Sequence, residues 1–84
     1  MKPVTIYTRG WCSYCAAAKE LLTRKQVTFE EIDIEQKPEA RSVMIERAGG
    51  RSSVPQIFIG GQHVGGCDDL HALEKTAKLD ALLA

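Results

Sequence analysis

The stretch Val4-Thr5-Ile6-Tyr7-Thr8-Arg9-Gly10-Trp11-Cys12-Ser13-Tyr14-Cys15-Ala16-Ala17-Ala18-Lys19-Glu20-Leu21-Leu22 decides how the rest of the chain is read. Val4 and Ile6 alternate with Thr5 and Tyr7, the two-residue period of a strand. Arg9-Gly10-Trp11 reads as a turn. The run from Ala16 to Leu22 is strong helix-forming sequence, with Ala17/Leu21 and Ala18/Leu22 each four apart on an apolar face. Two cysteines spaced C-x-x-C thus sit where a first strand hands over to a first helix.

That position gives the two sulfurs different prospects. Cys12 is expected at or beside the helix N-cap, where free backbone N–H groups and the helix dipole favour an anion. A thiolate is such an anion, and it is the form of cysteine that attacks disulfides. Arg9 adds positive charge nearby. Cys15 lies one helical turn along on the same face, within reach of Cys12 and more buried. Cys12 then attacks first, and Cys15 resolves the mixed disulfide. The competing reading is half of a zinc site, for which Cys67, His63 and His71 are the available extra ligands. No second C-x-x-C exists to complete it.

Outward from this stretch the pattern continues. The first helix should fade near Lys25-Gln26. Val27, Phe29, Ile32 and Ile34 mark a second strand, with a break of phase after Phe29 that predicts a bulge or an early end. Pro38 suits the first turn of a second helix carrying Ala40, Val43, Met44 and Ala48 and stopped by Gly49-Gly50. Gln56-Ile57-Phe58-Ile59 is a third strand, Gly60-Gly61 a hairpin turn, and Gln62-His63-Val64 the return. Asp68 and Asp69 open a last helix with Leu70, Leu73 and Ala77 on one face, followed by Leu79 and Leu82. The order β-α-β-α-β-β-α predicts one α/β domain over residues 1–84, a four-stranded mixed sheet with three main helices. Helix-linked strands are expected to pair in parallel and the hairpin antiparallel.

Composition sets outer bounds. Of 84 residues, 44% are hydrophobic and 26% charged, which suits one folded unit with a modest core. Eleven basic residues balance eleven acidic ones, so no general attraction to nucleic acid or to an anionic membrane is expected. No apolar run is long enough to cross a bilayer, and the N-terminus lacks a signal-type pattern. A cytoplasmic protein is expected. Three cysteines suit catalysis there better than an export-type disulfide framework.

The motifs together resemble the glutaredoxins. Cys12-Ser13-Tyr14-Cys15 is similar to the family's Cys-x-Tyr-Cys element, Ser53-Val54-Pro55 to its Thr-Val-Pro, and Gly65-Gly66-Cys67-Asp68-Asp69 to its Gly-Gly-Cys/Ser-Asp-Asp. The match runs from Val4 to Leu83 and is nearest the short bacterial glutaredoxins of the type called glutaredoxin three. The resemblance implies a thioredoxin fold, glutathione as reducing co-substrate, and glutathionylated or disulfide-containing proteins as partners. It implies reducing equivalents drawn from NADPH through glutathione reductase, and a monomeric enzyme.

It also implies a binding groove. A cis bond before Pro55 would turn the Val54 backbone toward the thiol, to pair with the cysteinyl part of glutathione. The residues alone favour an ordinary trans proline at that position. Gly66 would let backbone approach the ligand, and the N–H groups of Cys67 and Asp68 would hold the γ-glutamyl carboxylate, with the Asp68 side chain on its ammonium. The alternative for Asp68 and Asp69 is helix capping. Arg9, Arg51 and Arg47 are the candidates for the glycyl carboxylate, each otherwise a surface charge, and Tyr14 would line the groove or simply pack. Ser13 stands where the commonest family motif has proline. Serine there resembles members in which two chains and two glutathiones hold a [2Fe-2S] cluster through the leading cysteine, here Cys12. Cys67 reads either as a small packing residue or as a regulatory thiol. His63 and His71 read as surface or strand-edge residues.

Overall fold

A computed structural model describes residues 1–84. The elements are β1 (Val4–Thr8), α1 (Ser13–Arg24), β2 (Phe29–Asp33), α2 (Ala40–Arg47), β3 (Gln56–Ile59), β4 (Gln62–Gly65), α3 (Cys67–Lys75) and α4 (Leu79–Leu83). The sheet order is β2-β1-β3-β4. β1 and β2 are parallel, while β1/β3 and β3/β4 are antiparallel. This is the thioredoxin fold.

Strand alternation divides the core between the two faces of the sheet. Val4, Ile6, Ile57 and Ile59 meet Ala18, Leu21 and Leu22 of α1 and Leu70, Leu79 and Leu83 of the C-terminal helices. On the other face Tyr7 and Phe58 pack edge to face, ring centroids 5.7 Å apart, against Met44 and Ala48 at α2. Gly60 and Gly61 both have positive φ (59° and 82°), which the two-residue β3–β4 hairpin turn requires.

Several expectations are corrected. β3 follows a helix yet runs antiparallel to β1, because residues 34–55 return to the end of the sheet at which β2 finished. That path sets the segment before β3 beside the segment after β1. The β1/β2 register is unbroken from Val4↔Phe29 to Thr8↔Asp33. β2 is an edge strand with Glu30 and Glu31 exposed, which accounts for the broken apolar phase without a bulge. Val27 and Ile34 flank the strand. The register shift lies instead between β3 and β4, at Ile57/Phe58. Pro38 precedes α2 in a turn, and Val43 is exposed, leaving Met44 to anchor the helix.

The expected last helix is two. Ala77 adopts φ +60°, and Lys78 N–H donates to Leu73 O at 2.8 Å, the six-to-one bond of a Schellman ending. Ala77 is therefore exposed at a helix end and not on an apolar face. The break lets α4 turn Leu79 and Leu83, four apart, into the core. Gln26 ends α1 the same way, at φ +59° with Val27 N–H on Leu22 O at 3.0 Å.

Candidate functional site

Cys12 is the N-cap of α1, in extended conformation (φ −148°, ψ 107°). Its sulfur accepts the first-turn N–H of Cys15 at 3.1 Å, the role a serine or aspartate oxygen plays at other helix starts. Val54 O lies 3.8 Å from the same sulfur. The Val54–Pro55 bond is cis, as the resemblance implied and the residues alone did not. Cys12 is half-buried and Cys15 buried, both as free thiols. Burial, reinforced by the hydrogen bond with Cys12, pushes the Cys15 thiol up to about 12. A backbone hydrogen bond from Arg9 works the other way. Trp11, beside Cys12, is 97% exposed.

Next to this sulfur pair opens a groove of about 270 Å³. It is lined by Tyr14, by Ser53, Val54 and Pro55 ahead of β3, and by Gly66, Cys67, Asp68 and Asp69 at the start of α3, with Arg51 beside Gly66 and Asp69. The N–H groups of Cys67 and Asp68 belong to the first turn of α3, whose N-cap is Gly66. Asp69 reaches back so that its Oδ2 accepts Gly66 N–H at 2.9 Å, and it pairs with Arg51 Nη1 at 3.2 Å. That backbone bond, then Arg51, holds the Asp69 carboxyl below its ordinary range. Gly65, at φ +125°, leaves room for this reach: a Cβ there would collide with the Asp69 carboxylate.

The residues picked from sequence divide accordingly. Tyr14, Arg51, Val54, Pro55, Gly66, Cys67 and Asp68 converge on the groove, with Cys12 at its edge and Cys15 behind it. The Arg9 side chain does not line the groove. Arg47 lies on the α2 face, donating to Tyr7 OH at 3.0 Å and stacking 4.2 Å over the Phe58 ring. Asp69 and Ser53 line the groove and were not singled out as ligand contacts. Asp69 had a signal: an acidic residue three positions after an N-cap is capping-box spacing.

Residues 4–64 match the glutaredoxin family. The chain belongs to the glutaredoxin family. It is 60% identical over 84 residues to a glutaredoxin of Pseudomonas aeruginosa, covering 100% of this chain and 99% of that protein. It is 52% identical over 83 residues to glutaredoxin 3 of Escherichia coli K12, covering 99% of each. Its structure superposes on a buckwheat glutaredoxin–glutathione complex with a TM-score of 0.89 at 27% identity, over 98% of this chain and 76% of that one. Glutaredoxins are thiol oxidoreductases, and the chain carries their paired thiols at the N-terminus of α1.

In this glutaredoxin Cys67 is buried, and burial, then Asp68 and Cys12, push its thiol up. His71 Nδ1 lies 3.4 Å from its sulfur. No three His, Cys, Asp or Glu side chains converge as a metal site. Cys15 is buried and Cys12 only half-buried, so Cys12 is the sulfur of the pair that the chain presents to solvent. No helix is long and apolar enough to cross a membrane.

Proposed function

We propose that this glutaredoxin reduces protein–glutathione mixed disulfides and protein disulfides at the expense of glutathione, with Cys12 as nucleophile and Cys15 as resolving thiol. The observation that carries the reading is the position of Cys12. Its sulfur caps α1 on the Cys15 N–H and faces the Val54 backbone at the edge of a groove with a basic side chain at Arg51 and free N–H groups at Cys67 and Asp68. A tripeptide with two carboxylates and a central cysteine suits that groove. The buckwheat relative in complex with glutathione supports the same ligand.

The Cys12 thiolate attacks the glutathione sulfur of a mixed disulfide. A Cys12–glutathione bond forms, the bond to the protein breaks, and the protein thiolate leaves and takes a proton. A second glutathione thiolate attacks the glutathione sulfur on Cys12, forming glutathione disulfide and returning the Cys12 thiolate. With a protein disulfide, Cys12 bonds to one protein sulfur and the other leaves. Cys15 then loses its proton and attacks Cys12, releasing the second protein thiol and closing a Cys12–Cys15 disulfide that two glutathiones reduce. The high proton affinity of Cys15 fits a thiol that acts second. One copy of the chain carries every residue used.

The test is reduction of a glutathionylated peptide, coupled through glutathione reductase to NADPH. Wild type and Cys15→Ser should turn over, and Cys12→Ser should not. Activity retained in Cys12→Ser, or absent from wild type, overturns the reading.

A further inference from the structure

Gln56 is a glutamine with no exposed surface at the start of the central strand β3, paired with Tyr7 of β1. A buried amide costs stability unless its polar atoms are partnered. Here they are. Its Nε2 donates to Ser53 O at 3.0 Å and reaches Ser53 Oγ at 3.3 Å. Its Oε1 lies 2.7 Å from His63 Nε2. Donation to a carbonyl fixes which end of the amide is nitrogen, so the oxygen meets His63 and the imidazole carries its proton on Nε2. The β3/β4 hairpin register places His63 opposite Phe58, with the rings 5.0 Å apart, and so within reach of Gln56, two residues from Phe58 on the same face.

We propose that the His63–Gln56 pair positions the glutathione-binding backbone by clamping the Ser53 carbonyl. Ser53 C=O and Val54 N–H belong to one planar peptide unit and point in opposite directions. Holding the carbonyl inward on Gln56 directs the Val54 N–H outward, toward the groove that Val54 lines. The same unit leads into the Val54 carbonyl beside Cys12. Gln56 and His63 are positioning residues, acting through Ser53 on Val54. His63 suits the part as a neutral donor, since burial and the charge of Arg51 outweigh Asp69 and disfavour its charged form.

The inference rests on the glutathione reading, and one experiment separates the two. Steady-state kinetics on a glutathionylated peptide would compare wild type with Gln56→Met, His63→Phe, the double variant and His63→Gln. His63→Phe keeps a ring against Phe58 and removes the donor; His63→Gln restores an N–H. Loss of a binding contact made equally in ground and transition states raises KM and spares kcat. The expected result is a KM increase of roughly three- to tenfold in both single variants, the size of one neutral hydrogen bond. The double variant should be no worse than Gln56→Met, kcat should stay within about twofold, and His63→Gln should recover most of the loss. Alkylation of Cys12 by iodoacetamide should keep its wild-type rate. Unchanged KM in folded His63→Phe, additive losses, or a parallel fall in Cys12 alkylation would overturn the positioning role. His63 is half-buried, so His63→Phe decides the matter if Gln56→Met does not fold. An inactive wild type would overturn the glutathione reading instead.

Discussion

The Cys15 N–H donates to the Cys12 sulfur at 3.1 Å, while Cys15 as a whole residue is only 2% exposed. One residue thus supports the nucleophile with its backbone and withholds its own thiol. Reaction needs both access and a thiolate. At pH 8, well below the value of about 12 to which Cys15 is pushed, iodoacetamide should label Cys12 first. Cys15 and Cys67, both buried and both raised, should label only on unfolding. Peptide mapping by mass spectrometry reads the order, and equal labelling of Cys12 and Cys15 would contradict it.

Asp69 should stabilise the fold in a pH-dependent way. Its carboxylate caps α3 at Gly66 N–H, and its pKa is held below the ordinary 3.8. A depressed carboxyl contributes fully above its unfolded value and loses that contribution as pH falls through the folded one. The ion pair with Arg51 is half exposed and adds little, so the cap dominates, at about 1 kcal/mol. Urea unfolding of Asp69→Ala should show that loss at pH 7, shrinking below pH 3.8. A difference that is constant down to pH 2 would rule out the linkage.

Much of the architecture could be read from periodicity and punctuation. Strand alternation at Val4 and Ile6, the apolar helix face at Ala18 and Leu22, and the glycine pair at 60–61 each act locally. What escaped depends on distant contacts. The direction of β3 is set by the path of residues 34–55, which no local pattern encodes. Ala77 is an intrinsically good helix residue, yet burial of Leu79 and Leu83 breaks the helix there. At the site, the cysteines and the Val54–Pro55 and Gly66–Asp68 segments were legible because their residue types are chemically distinctive. Gln56 was not, because its meaning lies in partners at Ser53 and His63 that the turn before β3 and the β3–β4 hairpin bring together.

The two non-glycine helix endings should be improvable. Gln26 and Ala77 occupy the left-handed region, where a Cβ crowds the following carbonyl. Glycine fits both without that cost, though it gives the unfolded chain more freedom. Gln26→Gly and Ala77→Gly are each expected to stabilise by about 1 kcal/mol, raising Tm by roughly 4–8 °C in a domain this small. Thermal unfolding followed by circular dichroism checks this. A fall in Tm for Ala77→Gly would mean that the Schellman ending is not what limits that turn.

Arg9, Arg47 and Arg51 are the candidates for the glycyl carboxylate of glutathione, and they occupy different places in the structure. Arg51 lines the groove beside Gly66 and is held there by Asp69. Arg47 points the other way, its guanidinium over Phe58 and bonded to the hydroxyl of buried Tyr7. The Arg9 side chain is exposed away from the groove lining. Arg51→Ala should therefore raise KM for a glutathionylated peptide about tenfold, as expected for a lost charge-assisted bond. Arg47→Ala should leave KM alone and cost about 1 kcal/mol of stability, through the lost ring stacking and the orphaned Tyr7 hydroxyl. Arg9→Ala should do neither. Kinetics and urea unfolding on the three variants make opposite demands of Arg51 and Arg47. If Arg47→Ala raised KM while leaving the unfolding midpoint unchanged, the α2 face rather than the groove at Arg51 would hold the carboxylate.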